Sequence, residues 1–229
     1  MKTKVNRTIA ALSAASCVLA LAVAVPANAA PKGKSASTMT GDNAYVDWTE
    51  YDLDNKLNLP GNTHVGFLSF YKQTGFTDIY GAIQDYQCDA GEVPGGGHGE
   101  PGGEGLCDLK GTRFLSAGPD VVYTADLRTR VATLQGTLLV SNGGHGEPGA
   151  VLGRPVAKIT WTADGPTHTF RRSSVWSDRT MTYRSDERGS GFEAKVTGAI
   201  GAMGFTDDVD DVSNGGVEQW TERFRMRIR

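Results

Sequence analysis

Basic residues do not dominate this chain: 23 Lys plus Arg stand against 26 Asp plus Glu in 229 residues. Nucleic acid rewards a basic face, so the balance argues against a nucleic-acid partner. Catalytic signatures are missing too. There is no Gly-x-Ser-x-Gly elbow, no His-Glu-x-x-His and no phosphate-cradling glycine loop. Cysteine is scarce, with three in the whole chain, and helical periodicity is almost absent. Aromatic residues, by contrast, stand at an ordinary 8%. They suffice to build a core, which excludes low-complexity disorder even though 30 glycines are about twice the usual share of ~7%.

The single long apolar run is at the start. Lys2, Lys4 and Arg7 precede a run from Ile9 to Val25, and Pro26-Ala27-Asn28-Ala29 supplies the small-x-small pattern of a signal-peptidase site. A signal peptide over 1–29 is therefore expected. The run is short and alanine-rich for a membrane anchor, so secretion with no stable membrane insertion follows. Removing 1–29 takes away three bases and no acids, leaving 200 residues at net charge −6. Cys88 and Cys107 remain, and two cysteines in an oxidising compartment are expected to pair, leaving no cysteine nucleophile. The Lys/Ser/Thr/Gly-rich stretch 30–43 reads as a flexible leader, with one domain over 44–229.

Alternation dominates that domain. Ala132, Leu134, Gly136, Leu138 and Val140 share one parity, as do Ala157, Ile159, Trp161 and Ala163, and Ala194, Val196, Gly198, Ile200 and Ala202. These are half-buried antiparallel strands. Further strands are predicted at 45–52, 64–72, 77–87, 112–116, 121–125 and 167–174, bounded by turn signals such as Gly118-Pro119-Asp120. Roughly eight to ten strands without crossover helices predict an all-β, up-and-down antiparallel barrel, with a two-sheet sandwich as the alternative. Small residues on the buried parity (Ala132, Gly136, Ala194, Gly198) favour the barrel, whose curvature they permit. The last strand sets Trp220, Phe224, Met226 and Ile228 on one side and Arg223, Arg225, Arg227 and Arg229 on the other. Those arginines suggest a basic strip for anionic lipid or polysaccharide. Strand alternation with a solvated basic face, which Glu218, Glu222, Asp207, Asp208, Asp210 and Asp211 lie near enough in sequence to neutralise, explains them without a function and is the preferred reading.

One heptapeptide occurs twice: Gly-Gly-His-Gly-Glu-Pro-Gly, at Gly96 to Gly102 and Gly143 to Gly149. The flanks differ, so the loop alone is repeated. His98 with Glu100 and His145 with Glu147 form a ligand set compatible with zinc or another divalent metal, the one cofactor the sequence raises. Against it stands the high ordering cost of glycine, which favours two mobile hydrophilic loops. The loops emerge at one end of a barrel only if an even number of strands separates them. A continuous, bulged strand over 121–140 gives two; a chain reversal at Asp126-Leu127 gives three. The acidic run 207–211 fails as a calcium loop, because Val212 falls where an oxygen ligand is required.

Trp161-Thr162-Ala163-Asp164-Gly165-Pro166, followed by Ala194, Val196 and Gly198 in an Ala-x-Val-x-Gly strand, resembles a loosely defined group of secreted β-rich actinobacterial proteins over about 125–202. The resemblance implies an exported Gram-positive setting and carries no catalytic residue with it. Three functions compete. The first is a secreted, non-enzymatic barrel binding a small molecule, glycan or protein. The second is an extracellular enzyme with a site at the barrel mouth, using His98, Glu100 and His145. The third is a metal-linked scaffold.

Overall fold

The computed structural model describes residues 34–92, 94, 106–143, 149–205 and 212–228. The expected signal peptide and most of both heptapeptide loops lie outside them. Twelve strands occur in chain order: β1 (Lys34–Tyr51), β2 (Thr63–Gln73), β3 (Phe76–Gln87), β4 (Asp108–Ala117), β5 (Val122–Asp126), β6 (Val131–Ser141), β7 (Val151–Gly153), β8 (Val156–Ala163), β9 (His168–Ser177), β10 (Met181–Ile200), β11 (Met203–Phe205) and β12 (Val212–Ile228). No helix is present among the described residues, and hence none long and apolar enough to cross a membrane.

Eight of these strands close into a ring in the order β1-β2-β3-β4-β6-β8-β10-β12 and back to β1, every pair antiparallel. This is the up-and-down order expected of a barrel; the sheet closes on itself and does not split into a sandwich. The remaining strands are interrupted continuations. β4 and β5 follow one line along β6, Ala117 opposite Leu138 and Val122 opposite Gln135. β8 and β9 follow one line along β10, and β11 and β12 do the same on its other side.

The interior is packed. Val46, Leu68, Ile79, Leu115, Leu134, Ile159, Val196 and Val217, one from each stave of the ring, are each at most 1% exposed. Burying side chains of this size contributes ~1.5–3 kcal/mol apiece. Phe70, Trp161 and Phe192 fill the space between them, and the Trp161 indole N–H donates to the Tyr45 carbonyl at 2.7 Å, so the buried ring leaves no orphan donor. Gly136 (φ +140°) and Gly198 (φ +120°) adopt backbone that side chains rarely take, and a Cβ on Gly198 would lie 1.9 Å from the Lys158 carbonyl oxygen. Two of the small residues on the buried parity are thus required to be glycine by their backbone.

Two expectations change. The stretch taken as a flexible leader, 30–43, is strand from Lys34 onward, because it pairs with β12 in unbroken register from Lys34 opposite Arg227 to Asn43 opposite Glu218. Local composition cannot show a partner nearly two hundred residues away. The aromatic parity of β12 also faces out of the ring. Val217 points inward, whereas Trp220 lies outside, its indole over Gly41 and stacked on Tyr71 at 5.9 Å.

Past one rim the chain does not stop. Residues 34–41 of β1, 220–228 of β12, 181–190 of β10 and all of β9 continue as a four-stranded sheet in the order β9-β10-β12-β1, an arm with one face exposed and the other half-buried under its own side chains.

Candidate functional site

The two ends of the ring carry different chemistry. At the end away from the arm, β3 and β4 are joined by the disulfide Cys88–Cys107, with a Cα–Cα distance of 4.4 Å. The Asn62 side chain clamps Cys88, accepting from its backbone N–H and donating to its carbonyl oxygen, both at 2.9 Å. The expected pairing of the two cysteines is thus formed.

Both heptapeptide loops leave from this rim. The chain does reverse after Asp126, yet β4 and β5 are one kinked strand, in which the Asp120 carboxylate accepts from the Thr137 backbone and hydroxyl. Two staves therefore separate the loops, which leave from the same side of the ring, although β3 and β4 run on to Gln87 and Asp108, six residues past Phe114, the partner of Ser141. His98, Glu100, His145 and Glu147 themselves lie outside the described residues. Among the described residues, no group of three or more His, Cys, Asp or Glu side chains could hold a metal ion.

Beneath that rim sits a polar cluster. His64 of β2, Asp85 of β3 and Arg113 of β4 take the interior parity of three adjacent strands. The His64 Nδ1 lies 2.7 Å from Asp85 Oδ1, and Arg113 donates to both oxygens through Nε (2.9 Å) and a terminal nitrogen (2.6 Å). His64 and Asp85 are at most 1% exposed. With Nδ1–H donating to the carboxylate, the ring is held in one tautomer. Its Nε2 has no hydrogen-bond partner among the described residues. The arrangement is a neutralised, buried knot that ties three strands together.

The arm at the opposite end has one face of exposed arginines and one half-buried under its own side chains. On its outer face, Trp176 and Tyr183 lie in register, Tyr183 packs on Phe224 at 5.8 Å, and Phe170 covers Gly189 much as Trp220 covers Gly41. Carboxylates stand among these rings. Glu187 lies opposite Glu222 in register, the Ser185 hydroxyl donates to Glu222, and Arg172 reaches Glu187 (3.8 Å) and Glu218 (3.9 Å) while sitting over Phe170. Burial raises the Glu187 carboxyl above its ordinary range; Arg172 opposes this, and the neighbouring Glu222 and Glu218 add to it.

The other face continues the parity of the ring interior and carries Arg171 of β9, Arg184 and Arg188 of β10, and Arg223, Arg225 and Arg227 of β12, with Lys34 at the end of β1. Seven cations thus share a face with two carboxylates, Asp186 and, at its base, Asp42. The expectation that Glu218 and Glu222 neutralise the arginines fails, because even-numbered residues of β12 project from the outer face and the arginines from this one. The acidic run 207–211 lies outside the described residues. The interior cluster and the register of like charges were both missed from sequence. A signal for the cluster existed: His64, Asp85 and Arg113 each interrupt an apolar parity, with Leu68, Ile83 and Leu115 as neighbours.

No protein-family model and no curated protein matches this chain. Among solved structures it is similar to an acetoacetate decarboxylase-like enzyme from Sphingomonas wittichii RW1, with 10% identity, a TM-score of 0.19, and 86% of this chain and 92% of that chain covered. A score so low carries no functional argument.

Proposed function

We propose that this protein is an extracellular, non-enzymatic binding protein that engages its ligand through the arm. One observation carries this: the ring interior is filled by its own side chains, while four strands run beyond the rim and expose a whole face of arginines to solvent. A sheet that contributes so little to the core gains little by burial, and large exposed side chains such as Trp176 (52% exposed) and Val175 (65%) stand on it. The disulfide supports the extracellular setting. The test is a panel of immobilised glycans, anionic polymers and proteins, probed with the wild type, with a Trp176→Ser/Arg225→Gln variant of the arm, and with a Leu109→Ser variant at the opposite rim. Retention that the arm variant loses and the rim variant keeps supports the proposal. No retention at all, or equal loss in both variants, overturns it.

A second function is favoured by the shared rim of the two loops. In it, His98, Glu100, His145 and Glu147 bind a divalent metal. Zinc should then raise the thermal midpoint of the wild type and leave a His98→Ala/His145→Ala variant unchanged. An unchanged wild-type midpoint removes this function.

A further inference from the structure

We infer that the arginine face of the arm binds a water-soluble linear phosphodiester polymer that carries no bases. This rests on the arm being the binding element and names the chemistry it takes. The strongest support is the placement of like charges. Arg184 lies directly opposite Arg225, and Arg171 opposite Arg188. Like charges paired across strands destabilise a sheet, and the carboxylates that could relieve them by sequence proximity project from the other face. Asp186 alone stands among the guanidinium groups, its carboxyl held below the ordinary range first by the Arg184 hydrogen bond and then by the charges of Arg184, Arg225 and Arg171. An arrangement that costs stability in the free protein is relieved when an anionic ligand covers it.

Spacing and composition narrow the ligand. Arg223, Arg225 and Arg227 alternate along one strand, so their stems recur every ~7 Å on one face. A linear chain of anions at a similar interval meets them in succession, and each guanidinium fork matches two phosphate oxygens. A lipid surface fits less well. Interfacial binding inserts apolar or aromatic side chains, and in the arm's register the apolar members of this face are Val175 and Ala36 alone. Single-stranded nucleic acid asks for aromatic platforms beside the cations, and the rings of the arm are on the opposite face.

The experiment titrates the full protein with poly(glycerol phosphate) across a salt series, with oligo-dT and anionic phosphatidylglycerol vesicles in parallel. Three to six phosphate contacts predict a slope of log K against log salt between about −2 and −4. Arg223→Gln/Arg225→Gln/Arg227→Gln should reduce the magnitude of that slope by about 2 and weaken low-salt binding by about tenfold or more. Circular dichroism and the thermal midpoint verify that the variant is folded, and Lys at the same three positions should restore the salt slope. Absence of polymer binding at low salt, or binding that the triple Gln variant leaves intact, overturns the inference, as does tighter binding of oligo-dT or of vesicles. If the polymer fails while arm substitutions still abolish retention of another partner, the ligand class is wrong and the arm remains the binding element. If no arm substitution alters any retention, both fall.

Discussion

Replacing Asp85 with alanine tests the buried cluster most directly. The substitution removes the acceptor for three contacts at once, two from Arg113 and one from His64, all between 2.6 and 2.9 Å. The Arg113 side chain is only 16% exposed, and His64 is fully enclosed. The guanidinium is left as an uncompensated, largely buried charge, and the imidazole N–H loses its acceptor. Breaking a buried ion pair from one side costs about 3–5 kcal/mol. For a chain of this size, 1 kcal/mol moves the midpoint by ~2–4 °C, so Asp85→Ala should lower it by about 6–20 °C.

Calorimetry at neutral pH with the disulfide intact measures this. Asp85→Leu/Arg113→Met supplies the control, since replacing both charged partners by apolar side chains of similar volume is close to neutral. It should recover most of the loss. A fall of less than ~2 °C for Asp85→Ala would refute the reasoning, because it would mean water already satisfies these groups. So would a double variant as unstable as the single one, which would place the cost in packing.

Three further outcomes are expected. Replacing Cys88 and Cys107 by serine opens a loop of sequence separation 19 and should cost about 3 kcal/mol in the chain-entropy picture, read by chemical denaturation. Gly198→Ala should destabilise the protein strongly, since its φ is +120° and the new methyl would collide with the Lys158 carbonyl; a thermal midpoint equal to wild type would contradict this close approach. Glu187 holds its proton more readily in the folded state than when unfolded, so its ionisation opposes folding and its contribution weakens as pH rises through the folded value. Glu187→Gln should therefore stabilise the protein at neutral pH and lose that advantage below the ordinary carboxylate range, as pH-dependent unfolding will show.

Most of the ring was legible because it is written in alternation. Leu134, Ile159 and Val196 announce their strands by period two, and each is buried where that period places it. The disulfide followed from counting cysteines. Legibility ended where partners are distant. Nothing local in Lys34 to Asn43 distinguishes a solvated linker from a strand whose hydrogen bonds go to β12. The neutralisation of the arginines failed for a related reason: sequence proximity places Glu222 one residue from Arg223, while the pleat sends the two side chains to opposite sides of the sheet.

The contrast between the two ends separates scaffold from site. At the rim beneath the loops, His64, Asp85 and Arg113 bring charge into the core and compensate it with short hydrogen bonds, which is what a structural role requires of buried charge. On the arm, Arg184 faces Arg225 and Glu187 faces Glu222, one pair on each side of the same two strands. A one-residue shift of register would flip β12 relative to β10 and place Glu222 near Arg184 and Arg188, trading repulsion for attraction. The hydrophobic alternation forbids that shift, because Val217 would leave the ring interior and Trp220 would enter it. The core thus locks in a charge pattern that the arm on its own would not choose. Like charge that the core holds segregated, with Asp186 the single carboxylate among the arginines, is the arrangement the proposed ligand would relieve, and it directs the search for function to the arm before the neutralised cluster at the other end.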